Sequence, residues 1–98
     1  MDKFILQQEN IHQLAEKFKV LGEETRLKII RCLEEGDKSV NEIVADTGLL
    51  QANVSKHLKI LEKFNIVAYK NESHSHIYQI SDPKILQICK IICEDDSQ

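Results

Sequence analysis

Proline occurs once in this chain of 98 residues and glycine three times, and serine is sparse too, which excludes a disordered or low-complexity segment. No apolar run approaches the roughly 20 residues of a membrane-crossing helix. The greasiest stretch, Ile85–Cys93, is interrupted by Gln87 and Lys90. The N-terminus has no secretory pattern. Three cysteines, an odd number, argue against a disulfide framework and for free thiols in a reducing compartment, so the cytoplasm is the expected location. No glycine-rich phosphate loop follows a strand, and no nucleophile–base–orienter set stands out, so an enzyme is not expected. What remains, 42% hydrophobic and 30% charged, reads as one globular domain over residues 1–98. A chain this short buries a modest share of its surface, and a dimer that hides more would help it.

The formal charge of −3 speaks at first against nucleic acid, but its distribution matters more than its total. Residues 51–70 carry Lys56, Lys59, Lys63 and Lys70 against Glu62, four minus one, a local surplus of three. Acid collects elsewhere, at Glu23-Glu24, Glu34-Glu35 and the tail Glu94-Asp95-Asp96. An acidic body with one basic face would orient itself on DNA and bind weakly off-site.

That basic stretch, "GLLQANVSKHLKILEKFNIV" at Gly48–Val67, organises the chain. Val54, Leu58 and Leu61, with Phe64 beyond, have helical spacing for one buried face. Between them Gln51, Asn53, Ser55, Lys56, His57 and Lys59 are polar and expected to face outward. Such a front suits the DNA major groove. Gln51, Asn53 and His57 are placed for base edges or nearby phosphates; Ser55, Lys56 and Lys59 are expected mainly to hold phosphates. The competing reading is a solvated polar face on an ordinary core helix. Upstream, the amphipathic segment Ser39–Thr47 closes at Gly48, which makes a helix-turn-helix arrangement.

The flanks follow the same logic. Phe4, Ile11 and Phe18, with Leu14 and Leu21, form the seam of a first helix over Asp2–Leu21, broken by Gly22. A second helix runs from Glu23–Thr25 through Leu27, Ile30 and Leu33 to Gly36. Ser39 with Glu42 is a capping-box pattern, whereas Leu50 is a weak cap for the fourth helix. Ile66–Lys70 and His76–Ser81 read as two strands joined by a loose, solvated turn, Asn71–Ser75. Asp82-Pro83 opens a last helix that is apolar on most of its circumference, so it needs two partners: its own core and a second protomer. Cys89 and Cys93, four apart, share a helical face and can hold one soft ion together; the plainer reading makes all the cysteines small buried hydrophobes. In the hairpin, Lys70, His74 and His76 are candidate DNA contacts, and the two histidines alternatively a metal pair lacking a third ligand. His12 is assigned nothing.

With these elements in order the chain resembles the ArsR/SmtB family of bacterial repressors over nearly its whole length. The carriers are "LGEETRLKII" at Leu21–Ile30, "SVNEIVADTGLLQANVSKHLKILEKFNIV" at Ser39–Val67 and "IYQISDP" at Ile77–Pro83. The resemblance implies a mainly α winged helix-turn-helix of five helices and two strands, with a β-hairpin wing. It also implies a homodimer joined through the first and last helices, which binds a palindromic operator on double-stranded DNA and leaves it when an effector binds. Family wings carry Arg or Lys; this one reads "NESHSH" at Asn71–His76. The family's cysteine pair in the third helix corresponds to Val40–Ile43, which has none. Its zinc site in the last helix meets Asp82, then Lys84 where a histidine belongs, then positions near Asp95 and Gln98, so no metal site is expected. Another branch senses oxidants, persulfides or soft metals through cysteines in the second and last helices, and Cys32, Cys89 and Cys93 have that general placement. No cofactor is expected beyond such an effector, a soft ion or thiol oxidation. The alternatives are a winged helix that binds protein instead of DNA, and a DNA-binding repressor whose cysteines are purely structural.

Overall fold

In the computed structural model, which describes residues 4–94, five helices and three strands follow one another. They are α1 (Gln8–Leu21), α2 (Glu24–Glu34), β1 (Lys38–Ser39), α3 (Val40–Thr47), α4 (Gln51–Lys63), β2 (Val67–Glu72), β3 (Ser75–Ile80) and α5 (Lys84–Glu94). Local chemistry sets most of these boundaries. Glu23 caps α2, its side chain accepting the Arg26 backbone N–H at 3.2 Å. Ser39 caps α3 with the reciprocal pair that its spacing predicts. Its hydroxyl accepts from the Glu42 N–H at 3.2 Å, and Glu42 accepts from the Ser39 N–H at 2.8 Å. The helix stops at Gly48, whose φ of 74° is left-handed, a conformation that suits a residue without Cβ. Thr47 secures the turn into α4, donating to the Ile43 carbonyl at 2.7 Å and accepting from the Leu49 N–H at 3.3 Å.

Two features of the hairpin differ from expectation. The strands run on through Asn71 and Glu72, which pair with His76 and Ser75, so the link is only Ser73-His74. Both have positive φ, 49° and 66°, the signature of a tight type I′ turn whose twist matches the strands it joins. The loose five-residue loop is thereby corrected. A third strand was also not foreseen: β1 pairs antiparallel with β3 (Lys38 with Tyr78, Ser39 with Ile77), giving the order β1-β3-β2. Two residues are too few to show an alternating pattern. The pairing fastens the start of α3 to the hairpin.

The core forms where α2, α3 and α4 meet the base of that sheet. Ile29, Ile43, Val54, Leu58, Leu61 and Ile66 have no exposed surface, and Val67 has almost none. Asn65, left-handed at φ 60°, turns the chain out of α4 into β2, and the Ser81 hydroxyl donates to its carbonyl at 2.7 Å. The wing is therefore anchored at its root to the end of α4.

The outer helices are less well covered. α1 begins at Gln8 rather than near Asp2, which lies outside the described residues; Phe4 precedes the helix, and the Gln7 side-chain amide donates to its carbonyl. In α1 only Val20 and Leu21 are buried, while Ile11, Leu14 and Phe18 stay exposed. The last helix opens as expected, with Asp82 accepting the Lys84 N–H at 3.1 Å and also pairing with Lys17 of α1 at 3.8 Å. Ile85 is buried, but Ile91 and Ile92 are 64% and 58% exposed. The radius of gyration, 15.1 Å, exceeds the ≈ 13 Å of a compact monomer this size. Asp95, Asp96 and Gln98 lie outside the described residues.

Replacing Ser39 with alanine removes the cap on α3 and should destabilise the protein by about 1 kcal/mol. Urea unfolding should show a lower midpoint with an unchanged slope; an unchanged midpoint would show that the capping box contributes nothing.

Candidate nucleic-acid interface

The outward face of α4 is the complement of its buried stripe. With Val54, Leu58 and Leu61 inside, the side chains of Gln51, Asn53, Lys56 and Lys59 are exposed and Ser55 is half-buried. Amides and ammonium groups thus share one solvent-facing surface on the second helix of a helix-turn-helix. Leu50 supplies no side-chain cap, so the first backbone N–H groups of α4 are left for an acceptor from outside the helix.

His57 does not belong to that surface. The expectation that it faces outward is corrected: its side chain is only 10% exposed. It follows Val54 by three residues, which on a helix puts it about 60° from the centre of the buried stripe. Its Nδ1 accepts from Arg26 Nε at 3.2 Å, and its Nε2 lies 3.9 Å from a Glu23 carboxylate oxygen. Arg26 also donates through Nη1 to the Val20 carbonyl at 3.1 Å. Around Glu23, desolvation opposes the charge, but hydrogen bonds from the Arg26 and Thr25 amides, with the Arg26 guanidinium nearby, outweigh it, and its pKa falls below the ordinary value.

The wing brings a mixed set of groups. Lys70 is exposed but stands between two acids, 3.9 Å from Asp37 and 4.0 Å from Glu72, which offset its charge. His74 sits exposed in the turn. His76 stacks on Tyr69, ring centroids 4.1 Å apart and planes 13° from parallel, which steadies it. A hollow lined by Ser39, Asn41, Gln51, Ser75 and His76 joins the starts of α3 and α4 to the wing. Gln51 and His76 are thereby brought to one cleft. Asn41, exposed one residue into α3, joins them there; its sequence position within a capping box gave no hint of this. Among the described residues, no group of three or more His, Cys, Asp or Glu side chains gathers to hold a metal.

The three thiols are free and occupy two different settings. Cys32 is buried in α2, with the Lys38 ammonium 3.6 Å and an Asp46 carboxylate oxygen 3.7 Å from its sulfur. Lys38 itself bridges Asp46 at 2.7 Å and Glu35 at 2.9 Å. Desolvation pushes the Cys32 thiol up; Lys38 pulls it back in part and Asp46 adds to the rise. A protonated thiol is a poor nucleophile. Cys89 and Cys93 line an apolar groove with Phe18, Leu21, Leu27, Ile88 and Ile92. Desolvation, then the proximity of Cys93 and Glu34, also raises the Cys89 pKa. Cys32 opens on a separate hollow beside Lys28, Arg31 and Thr47.

The family profile described as "Bacterial regulatory protein, arsR family" matches residues 23–69, from the cap of α2 to the middle of β2. An HTH-type transcriptional regulator of Methanocaldococcus jannaschii, MJ1325, is 36% identical over 87 residues, covering 88% of this chain and 98% of that one. The chain belongs to the ArsR family. This is a family of DNA-binding transcriptional regulators, not of enzymes. The fold agrees with solved structures of similar proteins. Rv0081 of Mycobacterium tuberculosis superimposes with a TM-score of 0.80 at 30% identity, over 90% of this chain and 89% of that one. The antimony-specific transcriptional repressor AntR gives a TM-score of 0.81 at 25% identity, over 100% and 93%. Among the described residues no helix is long and apolar enough to cross a membrane.

The Lys38–Asp46 pair has a pH consequence. Hydrogen bonding to Lys38, reinforced by its charge, holds the Asp46 carboxyl below its ordinary value of 3.8. A depressed acid stabilises the fold above its unfolded pKa and loses that contribution as pH falls through the folded one. In urea unfolding, Asp46→Asn should therefore be less stable than the parent at neutral pH, with the difference shrinking on acidification below about pH 4. A difference that stays constant with pH would contradict the pairing.

Proposed function

We propose that this ArsR-family regulator is a cytoplasmic repressor that binds a palindromic operator as a homodimer and releases it in response to an effector. The observation that carries the reading is the exposed face of α4, where Gln51, Asn53, Lys56 and Lys59 stand together on an otherwise acidic body. In this reading Gln51 and Asn53 meet base edges, and Ser55, Lys56 and Lys59 meet phosphates. The uncapped start of α4 takes a further phosphate oxygen. Lys70, His74 and His76 contribute less, because Lys70 is offset by Asp37 and Glu72. His57 is removed from the contact set.

Dimerisation is supported by the apolar faces left outside. Ile11, Leu14 and Phe18 of α1 and Ile91 and Ile92 of α5 are exposed, and a second copy would bury both helices' outer surfaces. On this reading residues 1–98 form one DNA-binding domain with dimerisation helices at each end. Cys89 and Cys93 lie against that surface, where binding or oxidation can shift the spacing of the two reader helices. AntR is described as antimony-specific, which favours a soft element as the effector class. Cys32, buried and protonated beside Asp46, serves as a packing residue. Asp82 and Lys84 leave the last helix without a zinc site.

The test is a titration of a duplex carrying the gene's own upstream region at several salt concentrations. Binding should be steeply salt-dependent, and Lys56→Ala or Lys59→Ala should each reduce the salt slope by about 1. Binding without salt dependence, or none at all, would favour a protein-interaction module, a reading the neutralised wing keeps in play. Adding arsenite or polysulfide should release the parent but not the Cys89→Ser, Cys93→Ser double variant. Equal release of both would remove these thiols from sensing.

A further inference from the structure

Three elements meet at one side chain. The Arg26 guanidinium donates through Nε to His57 of α4 and through Nη1 to the Val20 carbonyl at the end of α1. Its own backbone N–H is held by Glu23, the cap of α2. The Val20 carbonyl is one of the last four of α1, which have no partner within their helix, and a cation suits that end of the helix dipole. Arg26 therefore closes α1, begins α2 and grips the middle of the reader helix.

The grip constrains the imidazole. Nδ1 accepts a hydrogen bond from Arg26 Nε–H, so it must offer a lone pair, and the ring's own proton must sit on Nε2, toward the Glu23 carboxylate. A leucine of similar size would pack there but accept nothing. His57 stands in sequence between the two exposed lysines of the reader face, Lys56 and Lys59, but its side chain is buried, turned about 100° around the helix from Lys56 and about 160° from Lys59. Fixing His57 fixes the rotation of α4 about its axis at the level where Lys56 and Lys59 emerge.

We propose that His57 is a positioning residue: as a neutral hydrogen-bond acceptor for Arg26 it locks the rotation of the reader helix on the corner made by α1 and α2, and it does not touch DNA. This rests on the reading of α4 as the DNA-contacting helix. The imidazole–guanidinium pair itself stands independently of that reading.

The test compares His57→Asn, whose amide oxygen falls near the position of Nδ1, with His57→Leu and Arg26→Leu in the full chain. Binding of the upstream duplex by the wild type, abolished or weakened in Lys56→Ala and Lys59→Ala, supports the reading of α4; failure of the wild type to bind would sink that reading and leave the pair to be judged by the spectrum below. His57→Asn should bind within about threefold of wild type with the same salt slope. His57→Leu and Arg26→Leu, folded by circular dichroism, should each bind about tenfold or more weakly, the size expected for a lost hydrogen bond to a charged group. The double variant should bind no more weakly than either single one. The ¹⁵N spectrum of the wild type, which needs neither DNA nor a variant that folds, should show His57 Nδ1 as the unprotonated, acceptor nitrogen. The proposal is overturned by a protonated Nδ1, by additive losses, by wild-type binding of His57→Leu, or by a His57→Asn variant as weak as His57→Leu.

Discussion

The burial of three side chains on α4 decides how this molecule meets its surroundings. Val54, Leu58 and Leu61 are wholly inside, each contributing on the order of 2 kcal/mol relative to exposure. Turning the helix by a residue or two would bring apolar groups into water and put lysines into the core. Gln51, Asn53, Lys56 and Lys59 are outside because the stripe is inside. The supports around α4 all fix the same orientation: the Gly48 turn before it, the Asn65 turn and Ser81 hydrogen bond after it, and the Arg26–His57 contact at its middle.

A second constraint comes from surface that one chain cannot cover. α1 buries only its last two residues, and the outer side of α5 is apolar. Core helices and outer helices therefore divide the work. The inner body of α2, α3, α4 and the three-stranded sheet positions the reader, and the outer pair presents a face suited to a second copy. Cys89 and Cys93 fall on the outer pair, whereas Cys32 is tied by Lys38 and Asp46 into the inner body. The same residue type thus has unlike chemistry in the two places.

Much of this could be read from the chain because the signals are local. Ser39 with Glu42, Gly48, Asp82-Pro83 and the Val54–Leu58–Leu61 spacing each act within one or two helical turns, and each reappears in the structure. What escaped reading depends on distant partners. β1 exists only because Lys38 and Ser39 find Tyr78 and Ile77. The tight turn at Ser73-His74 lacks the usual Asn-Gly pair and is imposed by pairing on either side. His57 is polar in sequence, and only the approach of Arg26, thirty-one positions earlier, gives it a partner inside. Lys70 likewise counts as a free cation until Asp37 comes beside it.

The account is tested most directly by lysine acetylation footprinting with and without the upstream duplex, read residue by residue by mass spectrometry. Lys56 and Lys59 should become protected on the duplex, while Lys28 and Lys90 on α2 and α5 keep their reactivity. Unchanged labelling of Lys56 and Lys59 in a protein saturated with DNA would contradict the assignment of α4 as the surface that meets the double helix.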